Sequence, residues 1–507
     1  MRSRSPSRNS PDRDTAIVRL ALVLAVTVFA PAALASSRTG DEAAPSWSLP
    51  NGDLAGTRRA VGSAIGSGTV TRLERAWRFV LPEPPTFSGA IASTPLVLGD
   101  RIYLQTLRSN VYALDASSGR VVWSRRVSRK SGGPNGLAAE EGRLYGSTDT
   151  TVFALDARNG GIVWARTLTT ARRPIDLAPG VSSGLVVTST TAPYPGAEGV
   201  LYALDAKTGR VRWRRPTVAA PWADPKVASG GGSWWTPTFD SRGRVYAGIS
   251  NPLPWGGTRA EPNGAAYAGD ALYTDSLLVL EAKTGLIDWY DQVSPHDVRD
   301  YDFSLPPLLV RAGGRDLVIG GGKAGRVVAW DRSARRRVWS TSVGLHRNDT
   351  GPLPRRRVVV CPGLLGGVLT PMASAAGRVF VPVVDLCMRG SATGYENFNT
   401  IDYARGTGEL VALDARDGKQ LWARRLPSPN FGCATVASDV VFTSTYDGTV
   451  YALAVRSGRI LWTAREPAGI NACPAVAGDL LVVPAGAEPS TFATPVPVVD
   501  VYRLSKR

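Results

Sequence analysis

Val111-Tyr112-Ala113-Leu114-Asp115, followed by Gly119 and then Trp123, is the stretch that decides the fold, because it recurs. Val152-Phe153-Ala154-Leu155-Asp156 leads to Gly160 and Trp164, and Leu201-Tyr202-Ala203-Leu204-Asp205 leads to Gly209 and Trp213. Glu281, Gly285 and Trp289 repeat the spacing, as do Asp414, Gly418 and Trp422, and Ala454, Gly458 and Trp462. Asp331 and Trp339 keep it with Arg335 in the glycine position. The run before the acid is apolar and strand-like. Asp-x-x-x-Gly is a turn, in which the carboxylate accepts from local backbone and glycine supplies a positive φ. The run that ends in tryptophan is the return strand.

Ahead of each pair lie two further strands, such as Ser93–Leu98 and Arg101–Gln105. Successive repeat tryptophans lie from 40 residues apart (Trp422 to Trp462) to 83 apart (Trp339 to Trp422). The short spacings set the period, and the long ones hold insertions near 214–275 and 340–405. Units of ~40–50 residues with four strands imply an all-β fold, a β-propeller of four-stranded antiparallel blades. Trp77, in Leu73–Phe79, supplies an eighth terminal strand without partners. Its partners are expected at the other end of the chain, in Pro474–Ala477, Leu480–Pro484 and Val498–Leu504. Eight tryptophans predict eight blades, sealed by pairing the two ends of the chain in one sheet.

The chain has 507 residues and a formal net charge of +17, carried mainly by arginines spread through strand ends and loops, as in Arg335–Arg337 and Arg355–Arg357. Spread charge predicts a basic solvated surface and no nucleic-acid partner, since that partner needs charge clustered with aromatics. Residues 1–35 read as a signal peptide: a basic start, the apolar run Leu20–Ala32, and Ala33-Leu34-Ala35 as cleavage site. Residues 36–46 are then a flexible mature N-terminus and 47–507 the propeller. The apolar run is short for a membrane span, an uncleaved anchor being the other reading, and no later run is longer. The expected location is outside the cytoplasm, in periplasm, cell envelope or medium. There the four cysteines favour disulfides. Of three pairings, Cys361–Cys387 with Cys433–Cys473 is favoured, joining sequence neighbours. The two histidines, His296 and His346, exclude histidine-rich metal chemistry. Gly320-Gly321-Gly322-Lys323 is no phosphate loop, because Ala324 stands where Ser or Thr is needed.

Tryptophan-ended blades occur in the pyrroloquinoline quinone (PQQ) repeat superfamily, which includes the quinoprotein alcohol dehydrogenases and the outer-membrane assembly lipoprotein BamB. Trp47-Ser48-Leu49-Pro50-Asn51-Gly52-Asp53-Leu54-Ala55-Gly56-Thr57-Arg58 resembles the opening of the dehydrogenase branch, and Leu73–Phe79 resembles its first tryptophan strand. Gly230-Gly231-Gly232-Ser233-Trp234-Trp235 is similar to a motif whose last tryptophan is the floor beneath the quinone. Gly248-Ile249-Ser250-Asn251-Pro252-Leu253-Pro254-Trp255 is similar to one whose asparagine binds calcium. Pro295-His296-Asp297-Val298-Arg299-Asp300-Tyr301-Asp302 resembles a segment whose acid before tyrosine is the catalytic base and approaches the metal. Lys323-Ala324-Gly325 resembles one whose lysine bonds the quinone carbonyl.

The resemblance therefore implies PQQ and Ca²⁺ as cofactors, Asp300 as base, Trp235 and Lys323 as quinone contacts, and Asn251 with Asp300 at the metal. It implies an alcohol or sugar as substrate and an external electron acceptor, since no CxxCH haem motif is present. A hydride-accepting quinone needs positioning and polarisation from the protein. Calcium takes hard oxygen ligands, and a carboxylate can remove the alcohol proton. Asn251 before proline also reads as a turn residue.

Four family features are absent. Ala92 stands where the family has glutamate, and Lys130–Gly133 where it has adjacent cysteines. Asn135 replaces an arginine that pairs with quinone carboxylates. Tyr194, with Glu198 nearby, falls at a calcium-binding glutamate. Their loss motivates the alternative of a non-enzymatic envelope scaffold.

Overall fold

A computed structural model of the chain describes residues 46–505 except 87, 220–227, 265–268, 398–400 and 488–493. The expected signal peptide, and all but Ser46 of the expected flexible N-terminus, lie outside the described residues.

The unit read from the sequence is the unit that forms. Strands Leu96–Leu98, Arg101–Gln105, Val111–Asp115 and Val121–Arg125 pair antiparallel in chain order. Among the described residues, eight sheets carry such a four-strand core. Seven take their four strands in chain order. The eighth joins Leu73–Val80 to Val498–Leu504, which pairs with Leu480–Ala485 and then Ala475–Ala477. The two ends of the described chain thus meet in one antiparallel sheet, as expected.

The repeated alanine has a packing reason. Ala113 faces Trp123, Ala154 faces Trp164, Ala203 faces Trp213, Ala412 faces Trp422 and Ala452 faces Trp462. A small side chain there leaves room for the indole, and the register shifts one residue later to release the chain into its turn. The indole also reaches the turn of another sheet. Trp164 Nε1 donates to the Ala206 carbonyl at 2.9 Å, Trp77 Nε1 to Ala116, Trp123 Nε1 to Ala157 and Trp339 Nε1 to Ala415. Gly209, at φ 68°, lies beneath the Trp164 ring, where an added Cβ would stand 2.5 Å from Cε3. The glycine is thus needed for its φ and for its missing side chain.

The long insertions pack on each other. A three-stranded sheet of Val358–Val360, Met388–Ser391 and Gly394–Tyr395 lies beside the Cys361–Cys387 disulfide. Asn263 donates to the Leu353 carbonyl at 3.2 Å and accepts from its N–H at 2.8 Å. The Trp255 and Tyr395 ring centroids are 5.2 Å apart. The second disulfide joins Cys433 to Cys473, so both favoured pairings form. No helix among the described residues is long and apolar enough to cross a membrane.

Candidate functional site

A cavity of about 940 Å³ is lined by segments taken in turn from around the eight sheets, from Ala92 and Lys130–Pro134 through Trp235, Asn251, Asp300, Asp302 and Lys323 to Thr370 and Asn471. All four side chains singled out in the sequence, Trp235, Asn251, Asp300 and Lys323, line this one space.

Backbone packing brings them there. Strand Arg315–Gly322 ends in three glycines, and Gly322 passes so close to Asp302 that a Cβ would sit 2.3 Å from its carbonyl oxygen. Lys323 N–H then donates to that carbonyl at 2.9 Å. The lysine is thereby fixed beside the Asp300–Asp302 segment. Its Nζ lies 2.7 Å from Asp300 Oδ2 and 2.6 Å from Asp302 Oδ2. Asn251 N–H holds the other Asp302 oxygen at 2.9 Å, while Asn251 Nδ2 donates to the Pro252 carbonyl at 3.0 Å. Asp300 has φ 63°, a left-handed conformation that few non-glycine residues take.

The insertions hold this loop from outside. Tyr301 Oη donates to the Pro362 carbonyl at 3.2 Å, Tyr395 Oη to the Val298 carbonyl at 2.8 Å, and Arg299 to the Asn348 and Gly351 carbonyls. Asp297 accepts from the backbone of Arg299 and Tyr301, which shapes the turn that presents Asp300.

Burial sets the electrostatics. It pushes the Asp300 carboxyl up to about 7, with the Lys323 ammonium pulling the other way and Asp302 adding to the rise. Asp297 is pushed up to about 6 for the same first reason. Lys323 is held charged by Asp300 and Asp302 against its own desolvation. Two acids that the sequence reading did not single out belong to the neighbourhood. Asp275 is fully buried with neither carboxyl oxygen hydrogen-bonded, and burial plus the charges of Asp297, Asp302 and Asp300 raise it well above the carboxylate range. Asp176 lies in the cavity wall, accepts from Gly132 N–H and Thr191 Oγ1, and is also raised by burial. Asp176 has no motif around it; Asp275 lies in Leu272–Ser276, a stretch similar to a strand of the dehydrogenase branch, but nothing there marks the acid itself. His296 is no part of the constellation, its Nδ1 meeting the Gly269 carbonyl at 2.9 Å.

Two groups were expected in this space. A planar quinone fits the cavity in size, with the Trp235 indole on its wall and the Lys323 ammonium beside it. Calcium fits poorly. Among the described residues, no three or more His, Cys, Asp or Glu side chains gather as a metal site would require. Asp300 and Asp302 already share the Lys323 ammonium, and the other Asp302 oxygen accepts from Asn251 N–H. The positions that depart from the family pattern lie on the same walls: Ala92, Lys130–Gly133 and the half-exposed Tyr194.

Comparison with known proteins places this geometry. The PQQ-repeat model described as outer membrane protein assembly factor BamB matches residues 66–285, 148–359 and 357–489. The quinohemoprotein alcohol dehydrogenase of Comamonas testosteroni is 27% identical over 488 residues, covering 80% of this chain and 67% of the relative. ADH IIB, a quinohemoprotein alcohol dehydrogenase of Pseudomonas putida, is 26% identical over 487 residues, covering 82% and 69%. The crystal structure of the Comamonas enzyme superposes with a TM-score of 0.78 at 23% identity, over 91% of this chain and 81% of that one. BamB from Moraxella catarrhalis superposes at 0.54 with 16% identity, over 86% and 98%. The fold is the all-β propeller of the quinoprotein alcohol dehydrogenases.

Proposed function

Because this chain belongs to the PQQ-repeat family, we propose that it is an exported, divergent quinoprotein dehydrogenase that oxidises an alcohol or sugar with PQQ held in its shared cavity. The observation that carries the reading is that Trp235, Asp300 and Lys323 line one cavity, with Lys323 paired to Asp300. The relatives in its favour are alcohol dehydrogenases at about 26% identity. The proposal includes the architecture. The eight sheets are eight blades of a closed ring, residues 47–505 of the described chain, with tryptophans docking one blade on the next.

The residues divide the work. Trp235 supplies a flat apolar face for the ligand. Asp300, raised toward neutrality, removes the proton from the substrate hydroxyl. Lys323 keeps that carboxylate in place and presents a positive charge to developing negative charge in the cavity. PQQ, when bound, supplies the two-electron oxidant, and an external acceptor must then reoxidise it. Export is supported by the residues 1–35 pattern and by two disulfides. The calcium ion first expected at Asn251 and Asp300 is given no step, because the Asp300 carboxylate is paired with the Lys323 ammonium.

The test is a PQQ titration of purified protein, read by tryptophan fluorescence, followed by dye reduction with alcohols and aldoses. Saturable binding with turnover supports the enzyme, and Trp235→Ala should weaken quinone binding by about tenfold, the stacking worth about 1 kcal/mol and the lost area adding to it. The second reading, a scaffold like BamB, is favoured by one set of positions: Ala92, Asn135 and Tyr194 remove quinone and calcium anchors, and Asp176 adds an acid to a wall that would face an anionic ligand. Failure to bind quinone, with stable capture of an envelope protein, would establish it instead.

A further inference from the structure

Two carboxylates and an asparagine on one wall would ordinarily be a place for a divalent cation. Here the place is filled by the protein itself. Lys323 Nζ stands within charge-assisted hydrogen-bond distance of both acids, 2.7 Å from Asp300 and 2.6 Å from Asp302. The lysine is not a passing surface side chain. Its side chain is 13% exposed, its backbone N–H is bonded to the Asp302 carbonyl, and the close approach at Gly322 admits no side chain that would move it away.

We infer that the Lys323 ammonium is the resident cation of this cavity, and that the chain holds its ligand without a divalent metal. This rests on reading the cavity as a cofactor site. Calcium takes six to eight oxygens at about 2.3–2.6 Å. The wall offers Asn251, Asp300 and Asp302, and Asp302 already spends one oxygen on the Asn251 N–H and the other on Lys323. A calcium ion here would sit within a few ångströms of a buried ammonium, and like charges in a desolvated site repel strongly. The ammonium has three N–H donors. Two are directed at the acids, and the third is left for an oxygen of whatever the cavity holds.

The experiment uses the full mature chain, dialysed against EDTA. Calcium is titrated by calorimetry and by thermal shift, and PQQ is titrated in EDTA and in excess calcium. The inference expects no saturable calcium heat, an unchanged Tm, and a quinone Kd equal within about twofold in the two buffers. Lys323→Gln vacates the position and should gain a saturable calcium response with a raised Tm, whereas Lys323→Arg keeps a cation and should stay blind to calcium. Tight calcium binding by the wild-type chain, or a quinone Kd weakened about tenfold or more by EDTA, overturns the inference. A folded Lys323→Gln that gains no calcium response, or a Lys323→Arg that gains one, overturns it too. The wild-type arm decides the matter whether or not Lys323→Gln folds. No quinone binding in any buffer would sink the dehydrogenase reading alone, since the calcium titration needs no quinone.

Discussion

Asp300 carries two kinds of strain at once: a left-handed φ of 63° and a carboxyl lifted by burial to about 7. A general base works only when deprotonated, so kcat/KM should climb as pH rises through about 7 and level off above it, as a pH–rate profile between 5 and 9 would register. Asp300→Asn keeps the shape and removes the base. It should lower kcat by about 10²–10⁴ in the dye-linked assay while circular dichroism stays native; unchanged turnover would show that another group takes the proton. At this scale the sequence was informative where a residue had neighbours that make a pattern. Asp300 and Lys323 were legible from flanking residues. Asp176 was not, because an isolated aspartate in a loop looks the same whether it faces water or a buried wall, and the burial of Asp275 was not, because the Leu272–Ser276 stretch around it reads as a flanking strand.

The repeated element is a turn glycine beneath a tryptophan from another sheet. Trp164 is 9% exposed and hydrogen-bonded to the Ala206 carbonyl. Its replacement by alanine should cost about 3–5 kcal/mol, read as a lower denaturation midpoint in guanidinium. Gly209→Ala would press a methyl into the same indole and force φ 68° on a residue that resists it, so it should destabilise in the same assay. Where the pattern breaks, the structure shows what takes over. Arg335 occupies the turn-glycine place of the fifth sheet at φ 55° and reaches Asp288 at 2.8 Å, while Trp330, in the strand that leads into this turn, donates to the Asp291 carboxylate at 2.5 Å. The spacing of the repeat was readable because four-residue turns and alternating strands leave periodic traces. The Arg335–Asp288 ion pair was not, since it joins residues of two different sheets.

Across the whole molecule, the sheet that joins the two ends carries a charged cluster. Arg78 pairs with Asp500 at 2.6 Å and lies 3.5 Å from Glu466, which also accepts from Tyr502 Oη at 2.7 Å. Burial, then the hydrogen bond and charge of Asp500, push the Glu466 carboxyl from 4.5 up to about 8. The folded chain therefore binds more protons than the unfolded one between about 4.5 and about 8. Its stability from this group falls as pH rises through that window. Tm should drop between pH 6 and pH 9, and Glu466→Gln should flatten that slope; an equal slope in the variant would place the titration elsewhere. Arg58 ties the same region together as a fully buried cation with no carboxylate, donating to the Pro50, Ala434 and Pro474 carbonyls and to Thr435 Oγ1, with its own pKa lowered to about 9 by desolvation.

The amino-acid sequence by itself determined the all-β class and the four-strand unit, which rest on local periodicity and spacing, and pointed to the family through its motifs; it favoured the pairing of Leu73–Val80 with the C-terminal strands and the two disulfides that the structure then formed. Only the tertiary structure decided what stands beside what. It placed Trp235, Asn251, Asp300 and Lys323 on one cavity and buried Asp275 and Asp176 near them. It also put an ammonium between Asp300 and Asp302, where the motifs around Asn251 and Asp300 had pointed to calcium. Charge compensation depends on distances of a few ångströms between segments remote in sequence, and those distances exist only once the sheets are packed.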